Sequence, residues 1–477
     1  MVDCVPLAVS LLARRCQITG ESAATLCDRW EKERTGLLEL GGHEADDNID
    51  ISIKLSLDSL FMQNNHNALR LLGVVGYLPT GGSDEAYSSM SLPDAELSAA
   101  EFLLRRLSLI YSPAPGWITT LEPVRAYIRR HCPPNPNDMC AVENWHVNLA
   151  ITYGNYNPSD DEFRIGSAKL AENSANITFI LRAHIKQCKD LAAMAIPVLA
   201  FSRFLCWTRP NGDLLEMLLS SGLGTLDHST NAQCLKSLGD ILHVQGRYEE
   251  ARPKLEEARS EFIVIGSRLE ATRCLQSLGN ILGMQGQCEE ARLKLEEANS
   301  EFIIIGDPLG TTQCLRSLGD NLRMQGQYED ARLKLEEVRS QFIIIDSRLG
   351  ATQCLRSLCN ILQVQGQYEE ARLKMGEVRS EFIIIGDRLG ATQCLQCLGD
   401  MLRAQGQYED AQLKLEEARS EFIVIGDRFG ATRCLQSLGD ILQMKGQYEE
   451  AQLKLEEAHS QFIIMQSAKG YPVPPMS

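Results

Sequence analysis

The pattern of apolar and polar positions divides the chain near residue 231. From Asn231 to Gly470 one 40-residue unit recurs six times without insertion, beginning at residues 231, 271, 311, 351, 391 and 431. Each unit contains two segments in which apolar residues recur every three or four positions, the spacing of one face of an α-helix. A Gln-Gly pair such as 245–246 separates the segments, and Gly ends helices at their C-terminal side. The pattern predicts two helices per unit and no strand.

Two amphipathic helices cannot bury both apolar faces alone, so neighbouring units are expected to stack into a solenoid. Small residues at fixed positions are expected to allow close helix packing. Pro253 is expected to kink the second helix of the first unit, because Pro removes a backbone hydrogen bond. The small and large apolar positions of the unit resemble those of the tetratricopeptide repeat: Leu235, Leu238, Gly239, Leu242, Ala251, Leu255 and Ala258.

The unit departs from that repeat in two respects, since it is longer than the usual length of about 34 residues and lacks the terminal Pro. It is similar to the 40-residue class found in LGN/Pins-like scaffolds and fungal NLR-like proteins. The resemblance implies an all-α fold, a right-handed superhelical α-solenoid, without catalytic activity. It also implies that a protein or peptide partner binds in the concave groove lined by the first helices.

The polar columns of the first helices are therefore the candidate partner-binding residues. They contain seven Lys or Arg against four Asp, an excess of three positive charges. Because Arg pairs with carboxylates, we expect a partner with acidic side chains; the alternative is that these are ordinary solvated positions. The candidates are Lys236, Asp240, His243, Arg273, Asn280, Arg316, Asp320, Arg323, Arg356, Asn360, Arg403 and Arg433.

Residues 1–230 show no repeat. Val5-Pro6-Leu7-Ala8 resembles the Gly-Leu-Pro-Leu-Ala motif of STAND ATPases (NB-ARC and NACHT proteins), with Val5 in place of Gly. Apolar segments at 52–60, 67–79, 97–111 and 117–131 follow the order of the winged-helix domain of that family, a packing and regulatory element there. The predicted organisation is a STAND remnant (1–45), a winged-helix-like domain (46–135), a helical connector and cap (136–230), six repeats (231–470) and a disordered tail (471–477).

The STAND resemblance implies ATP hydrolysis, but the residues for it are missing from the sequence. A phosphate-binding loop requires Gly-Lys, which occurs nowhere in the chain. The family's Met-His-Asp motif corresponds to Thr120-Leu121-Glu122, which lacks the nucleotide-contacting His. We expect no catalytic residue and no cofactor.

Two groups have the residue types of metal sites. Cys394 and Cys397 have C-x-x-C spacing, but Cys394 belongs to the repeated cysteine column and Cys397 replaces a Ser of the other copies. The second group is His131, Cys132, Cys140 and His146, whose spacing matches no common zinc pattern. The sequence therefore predicts no metal site. It favours cysteines that pack as small apolar residues.

Composition excludes several classes of function. The net charge of −16 argues against nucleic-acid binding. The longest apolar runs, Val5–Ala13 and Leu191–Phe201, are shorter than the ~18–20 residues that span a bilayer, and Asp3 stands where a signal peptide carries positive charge. Six of the sixteen cysteines recur every 40 residues, which is typical of buried apolar positions. We expect a reduced, cytoplasmic protein.

Three functions remain open. The first is an interaction scaffold, the second is the sensor half of a truncated or split NLR-like protein acting with an intact ATPase, and the third is a gene fragment without function. The last repeat is expected to leave its C-terminal face uncovered and to self-associate or dock a partner through Leu438, Leu442, Leu455 and Phe462.

Overall fold

The computed structural model describes residues 53, 54, 56, 57, 60–156, 161–187, 191–208, 210–222, 226–425 and 427–467. The predictions for residues 1–45, for the tail 471–477 and for the side chain of Phe462 lie outside the described residues. The chain divides into two compact units. One comprises Met1–Leu149 with Ala171–Ala183, and the other comprises Ala150–Leu170 with His184–Ser477.

The first unit is a small helical domain with a two-stranded antiparallel sheet, in which Gly82 lies opposite Ile118 and Ser83 opposite Trp117. The second strand lies at the start of the apolar segment 117–131. Helix α2 (His66–Tyr77) packs against α4 (Asp94–Arg106) and α5 (Glu122–His131). The elements are α1 Leu60–Gln63, α2 His66–Tyr77, β1 Gly82–Ser83, α3 Asp84–Tyr87, α4 Asp94–Arg106, β2 Trp117–Ile118 and α5 Glu122–His131. Two longer helices follow, α6 Pro136–Gly154 and α7 Asp161–Gln187, and both extend into the second unit.

The core of the first unit combines apolar packing with a few satisfied polar groups. Leu71, Leu72 and Val75 of α2 are fully buried. Asp138 is also fully buried and lies 2.6 Å from the guanidinium of Arg70. Since a buried carboxylate is costly unless it is paired, this ion pair is what allows α6 to pack beside α2.

The second unit contains the repeat array and the two helices that precede it, α8 Leu191–Thr208 and α9 Asp213–Ser221. The twelve helices that follow are two per repeat, as predicted. The first helices are α10 His228–Val244, α12 Arg268–Met284, α14 Pro308–Met324, α16 Arg348–Val364, α18 Arg388–Ala404 and α20 Arg428–Met444; the second helices are α11 Tyr248–Val264, α13 Cys288–Ile305, α15 Tyr328–Ile344, α17 Tyr368–Ile385, α19 Tyr408–Ile425 and α21 Tyr448–Ser467.

Within each repeat the two helices pack through the small residues that the sequence singled out. A Cβ added to Gly239 would lie 2.7 Å from Cγ of Leu255, and the same contact recurs between Gly279 and Leu295. Repeat 4 instead has the larger Cys359, and there Met375 replaces the Leu. Both are fully buried, and the flexible Met side chain fits a space of altered shape.

The repeat 1 helix α11 runs through Pro253 without interruption and has the same length as α15. The expected distortion therefore does not shorten the helix. The turn glycines confirm their predicted role, since Gly246 has φ +72° and its equivalents in the later repeats are also in the left-handed region.

Helix α8 corrects the prediction about membrane-spanning length. The apolar run ends at Phe201 in the sequence, but the helix continues to Thr208 and has 18 residues with a mean hydropathy of 1.6, long and apolar enough to cross a membrane by length and composition. Of this helix, 44% is buried inside the protein, where it packs against α9 and α10. A core helix has the same composition, so this feature is weak evidence for a membrane span.

Candidate partner-binding groove

The array of repeats curves so that its first helices lie on the inside. First helices of neighbouring repeats contact one another: α10 contacts α12, α12 contacts α14, α14 contacts α16, and α18 contacts α20. Helix α8 contacts both α10 and α18, so the first helices of repeats 1 and 5 face the same inner space. The groove is therefore the inner surface formed by α10, α12, α14, α16, α18 and α20.

At the repeat 1–2 end of the groove, the cations are already paired. Lys236 Nζ lies 3.3 Å from Asp240 and 3.8 Å from Glu270, and Asp240 raises the pKa of this lysine. Arg273 lies 2.6 Å from Glu270 and 3.8 Å from Asp307. The two cations of this end therefore face three acids, Asp240, Glu270 and Asp307.

Glu270 is the groove residue that sequence reasoning missed. It occupies the position that is Gly at 310, 350, 390 and 430. A charged residue at this position in one repeat was the sequence signal that could have identified it. With Glu270 included, the charge excess of the groove is two rather than the three counted from the sequence.

Three further predicted residues lie in repeats 1, 2 and 6. His243 is partly exposed with its ring centroid 5.9 Å from that of Tyr248, and burial lowers the pKa of its imidazole. Asn280 is partly exposed. Arg433 is exposed and makes no ion pair within the described part of the chain.

The repeat 5–6 end of the groove carries equal numbers of positive and negative side chains. Arg403 lies 3.9 Å from Asp400 and 3.6 Å from Asp440. Ser437 donates a 2.8 Å hydrogen bond to Asp400, whose pKa is raised by burial. Two cations, Arg403 and Arg433, face two aspartates.

The repeats in the middle of the groove carry the positive charge. Arg316 and Arg323 each lie 3.7 Å from the single Asp320. Arg356 donates a hydrogen bond to Gln393, and its guanidinium carbon lies 5.6 Å from the ring centroid of Phe382. Asn360 accepts a hydrogen bond from Cys397. Within the polar columns, repeats 3 and 4 thus place three arginines against Asp320, and the buried Asp387 of repeat 4 also interacts with Arg356.

The middle of the groove also differs from its ends in how far its leucines are exposed. Leu235, Leu238 and Leu242 of repeat 1 are all at most 3% exposed, and the equivalent leucines of repeats 2 and 6 are also buried. In repeat 5, Leu398 alone is partly exposed. The equivalents in repeats 3 and 4 are all partly exposed: Leu315, Leu318, Leu322, Leu355, Leu358 and Leu362.

The two groups of metal-type residues do not assemble. Among the described residues no three His, Cys, Asp or Glu side chains are placed to hold a metal ion. His146 is fully buried and its Nδ1 lies 2.7 Å from the carbonyl of Val142. Burial raises the pKa of Cys394 to about 12 and also raises that of Cys397, which disfavours the thiolate needed for metal binding or redox chemistry.

The C-terminal face is less open than the sequence predicted. The expectation is wrong for Leu438 and Leu442, which are 2% and 5% exposed, because Leu438 packs into the core that repeats 5 and 6 share. Leu455 is partly exposed, whereas its counterpart Leu255 is fully buried. The uncovered part of the last repeat is therefore its second helix.

Comparisons with known proteins agree with this fold. Residues 231–298 and 389–462 match the family model described as tetratricopeptide repeat. No curated protein matches the chain.

Several solved structures are similar to the chain at low sequence identity. The Rap conjugation gene regulator of plasmid pLS20, in complex with the Phr* peptide, is 14% identical with a TM-score of 0.46 and covers 68% of this chain and 96% of its own. The aspartyl phosphate phosphatase F of Bacillus subtilis is 11% identical with a TM-score of 0.44, covering 92% and 99%. A STAND protein with a tetratricopeptide repeat sensor from Pyrococcus horikoshii is 13% identical with a TM-score of 0.39, covering 91% and 67%.

At these TM-scores the likenesses do not bear on function. With the family match and the helical pairs described above, the second half of the chain is an all-α solenoid of tetratricopeptide repeats.

Proposed function

We propose that this protein is a scaffold that binds a protein or peptide partner in the groove of its repeat array. The supporting observation is that most polar column residues of the six first helices are partly or fully exposed, with Gln276 and Gln396 buried, while the second helices complete the core behind them. The repeat fold is non-catalytic, and a repeated inner surface of this kind is suited to extended partners.

The proposed partner carries carboxylates. The groove keeps a small positive excess on a protein of net charge −16, and guanidinium groups pair with carboxylates through two parallel hydrogen bonds. The long separations of 3.6–3.9 Å between several groove cations and their aspartates leave these arginines able to exchange partners. A reducing cytoplasm is the proposed location.

Selection of peptides from a random library on the full-length protein tests this function. Acidic sequences should be enriched, and the Arg316→Ala, Arg323→Ala, Arg356→Ala triple variant should bind the selected peptide about ten-fold more weakly, with a smaller salt dependence. The matched control removes Arg292, Arg332 and Arg372, which lie on the exposed side of the second helices in ion pairs with their own helix. Equal losses in both triple variants would contradict groove binding.

A regulatory role is the second candidate, in which the chain acts as the sensor half of an NLR-like switch. The arrangement of α2, α4 and α5 beside a short antiparallel sheet favours it, because that is the composition of a winged-helix domain. Sequencing of transcripts across the region before Met1 tests this candidate. An in-frame exon encoding a phosphate-binding loop supports it, and transcripts without one favour the scaffold acting alone.

A further inference from the structure

The inner surface of repeats 3 and 4 combines two properties that the ends of the groove do not share. Its six partly exposed leucines, Leu315 to Leu362 as named above, follow one another at helical spacing along α14 and α16, and five of them also pack in part against the repeat cores. We call this surface the central strip. Partly exposed leucines on an inner surface lose contact with water when a partner covers them, and this supplies affinity.

Arginines beside the central strip favour a partner with acidic side chains. Arg316, Arg323 and Arg356 flank the leucines, and Asp320 is the only acid among the polar columns of these two repeats. The side chains of Arg316 and Arg323 are only 20% and 26% exposed. An ion pair formed here is better shielded from water and salt than one on the outer surface. The ends of the groove, where the acids equal or outnumber the cations, offer no such preference.

The chain itself shows what kind of element its first helices accept. Helix α8 contacts the first helices of repeats 1 and 5 and buries an apolar face that includes Val198, Phe201 and Phe204. Burial raises the pKa of Cys206 on this helix to about 12, and Asp240 and Lys236 of the groove also act on that thiol. An apolar face on an α-helix is therefore a shape that this inner surface already packs against.

We infer that the central strip binds an amphipathic helix with an aliphatic face and acidic flanks. The inference rests on the proposed function and specifies its partner class. A helix laid along α14 and α16 sets aliphatic side chains spaced three and four residues apart against the leucines. Its flanking carboxylates then meet Arg316, Arg323 and Arg356. A 16-residue helix is about 24 Å long, close to the length of α14 at about 1.5 Å per residue.

A synthetic probe tests the inference on the full-length protein. The probe is a fluorescent helix of about 16 residues with Leu along one face and Glu on both flanks, built at helical spacing. Fluorescence anisotropy should show binding about ten-fold tighter than for the same helix with Lys replacing Glu, and than for the helix with Ser replacing Leu. Hydrogen exchange should show protection of amides in α14 and α16.

Protein variants locate the site. Arg316→Glu with Arg323→Glu should weaken the acidic probe about ten-fold and improve binding of the lysine probe. Arg292→Glu with Arg332→Glu, on the outer helices, is the matched control and should change neither affinity by more than about two-fold. The probe comparisons on the unmodified protein decide the question if the inner variant is unstable.

The outcomes separate the inference from the proposed function. If peptides selected from the library bind in the groove but the acidic helix does not bind at about 100 µM, or protection falls on repeats 1–2 or 5–6, the inference is overturned and the scaffold function stands. If neither the helix nor any selected peptide binds the groove, both are overturned.

Discussion

Backbone conformation at single turn residues decides part of the stability of the array. In repeats 2 and 3, the turn that follows the second helix contains a residue with positive φ. The angle is +79° at Gly306 of repeat 2 and +55° at Asp346, where repeat 3 has Asp in place of Gly. A left-handed backbone costs a side-chain-bearing residue about 1–2 kcal/mol, less for Asp. No atom lies within 4 Å of a Cβ added at Gly306, so a substitution there tests the backbone alone.

We therefore expect Gly306→Asp to lower the free energy of unfolding by about 1 kcal/mol and Asp346→Gly to raise it by about 0.5 kcal/mol. Chemical denaturation of the two variants measures both changes. If both are within error of zero, the turn contributes no strain.

A buried histidine makes the first unit sensitive to acid. Burial lowers the pKa of His146 below the usual 6.5, so the folded state favours the neutral imidazole while the unfolded state binds a proton near pH 6.5. The stability due to the neutral ring is complete above that pH and is lost as the pH falls from 6.5 through the lower folded pKa.

The free energy of unfolding should therefore fall between pH 7 and 5.5, by up to about 1.4 kcal/mol per pH unit below 6.5. Denaturant titrations across this range measure the slope. His146→Leu keeps an apolar side chain in the core and should reduce the slope. His66→Leu, at an exposed position of the same unit, is the control that should leave the slope unchanged. An unaltered slope in the His146 variant would exclude this residue as the cause.

At the scale of the element, each first helix contributes a cysteine at the same repeat position to the core, and α16 adds Cys359. Cys234, Cys274 and their equivalents in the later repeats are fully buried free thiols, and burial raises the pKa of each to about 12. A buried neutral thiol packs as a small apolar group and reacts slowly.

Thermal unfolding curves recorded with and without reductant should therefore superimpose. Denatured samples titrated with a thiol reagent serve as the control, because all thiols are then accessible. A fall of many degrees on reduction would show that disulfides stabilise the protein and would also oppose a reducing compartment.

At the scale of the whole molecule, the last repeat leaves part of its second helix uncovered. Leu455 is partly exposed there, while Leu415 at the same position of repeat 5 is fully buried. Exposed apolar surface at the end of a solenoid favours association. We expect light scattering over a concentration series to show a defined dimer that Leu455→Glu returns to monomer.

The outer substitution Leu453→Glu is the control, since Leu453 is 68% exposed and lies on the opposite side of the same helix. Growth into heterogeneous particles would indicate aggregation rather than an interface. A monomer at high concentration would contradict self-association through this face.

The sequence predicted twelve candidate groove residues but not Glu270, and it did not predict how the charges of the groove pair. All the predicted residues lie on first helices, because the repeat places each column by local helical spacing. Pairing across repeats was not predictable: Glu270, near the start of α12, lies 3.8 Å from Lys236 of α10, and this depends on how adjacent repeats dock.

The sequence by itself determined the 40-residue period, the two helices of each repeat, the left-handed turn glycines and the buried cysteines. These depend on interactions within one repeat or between identical neighbours, so a single pattern read six times suffices. Only the tertiary structure decided that α8 packs on repeats 1 and 5, that Leu438 and Leu442 are buried, and that the leucines of repeats 3 and 4 stay partly exposed. Those outcomes depend on the curvature of the array, a sum of small rotations between repeats that nearly identical sequences do not reveal.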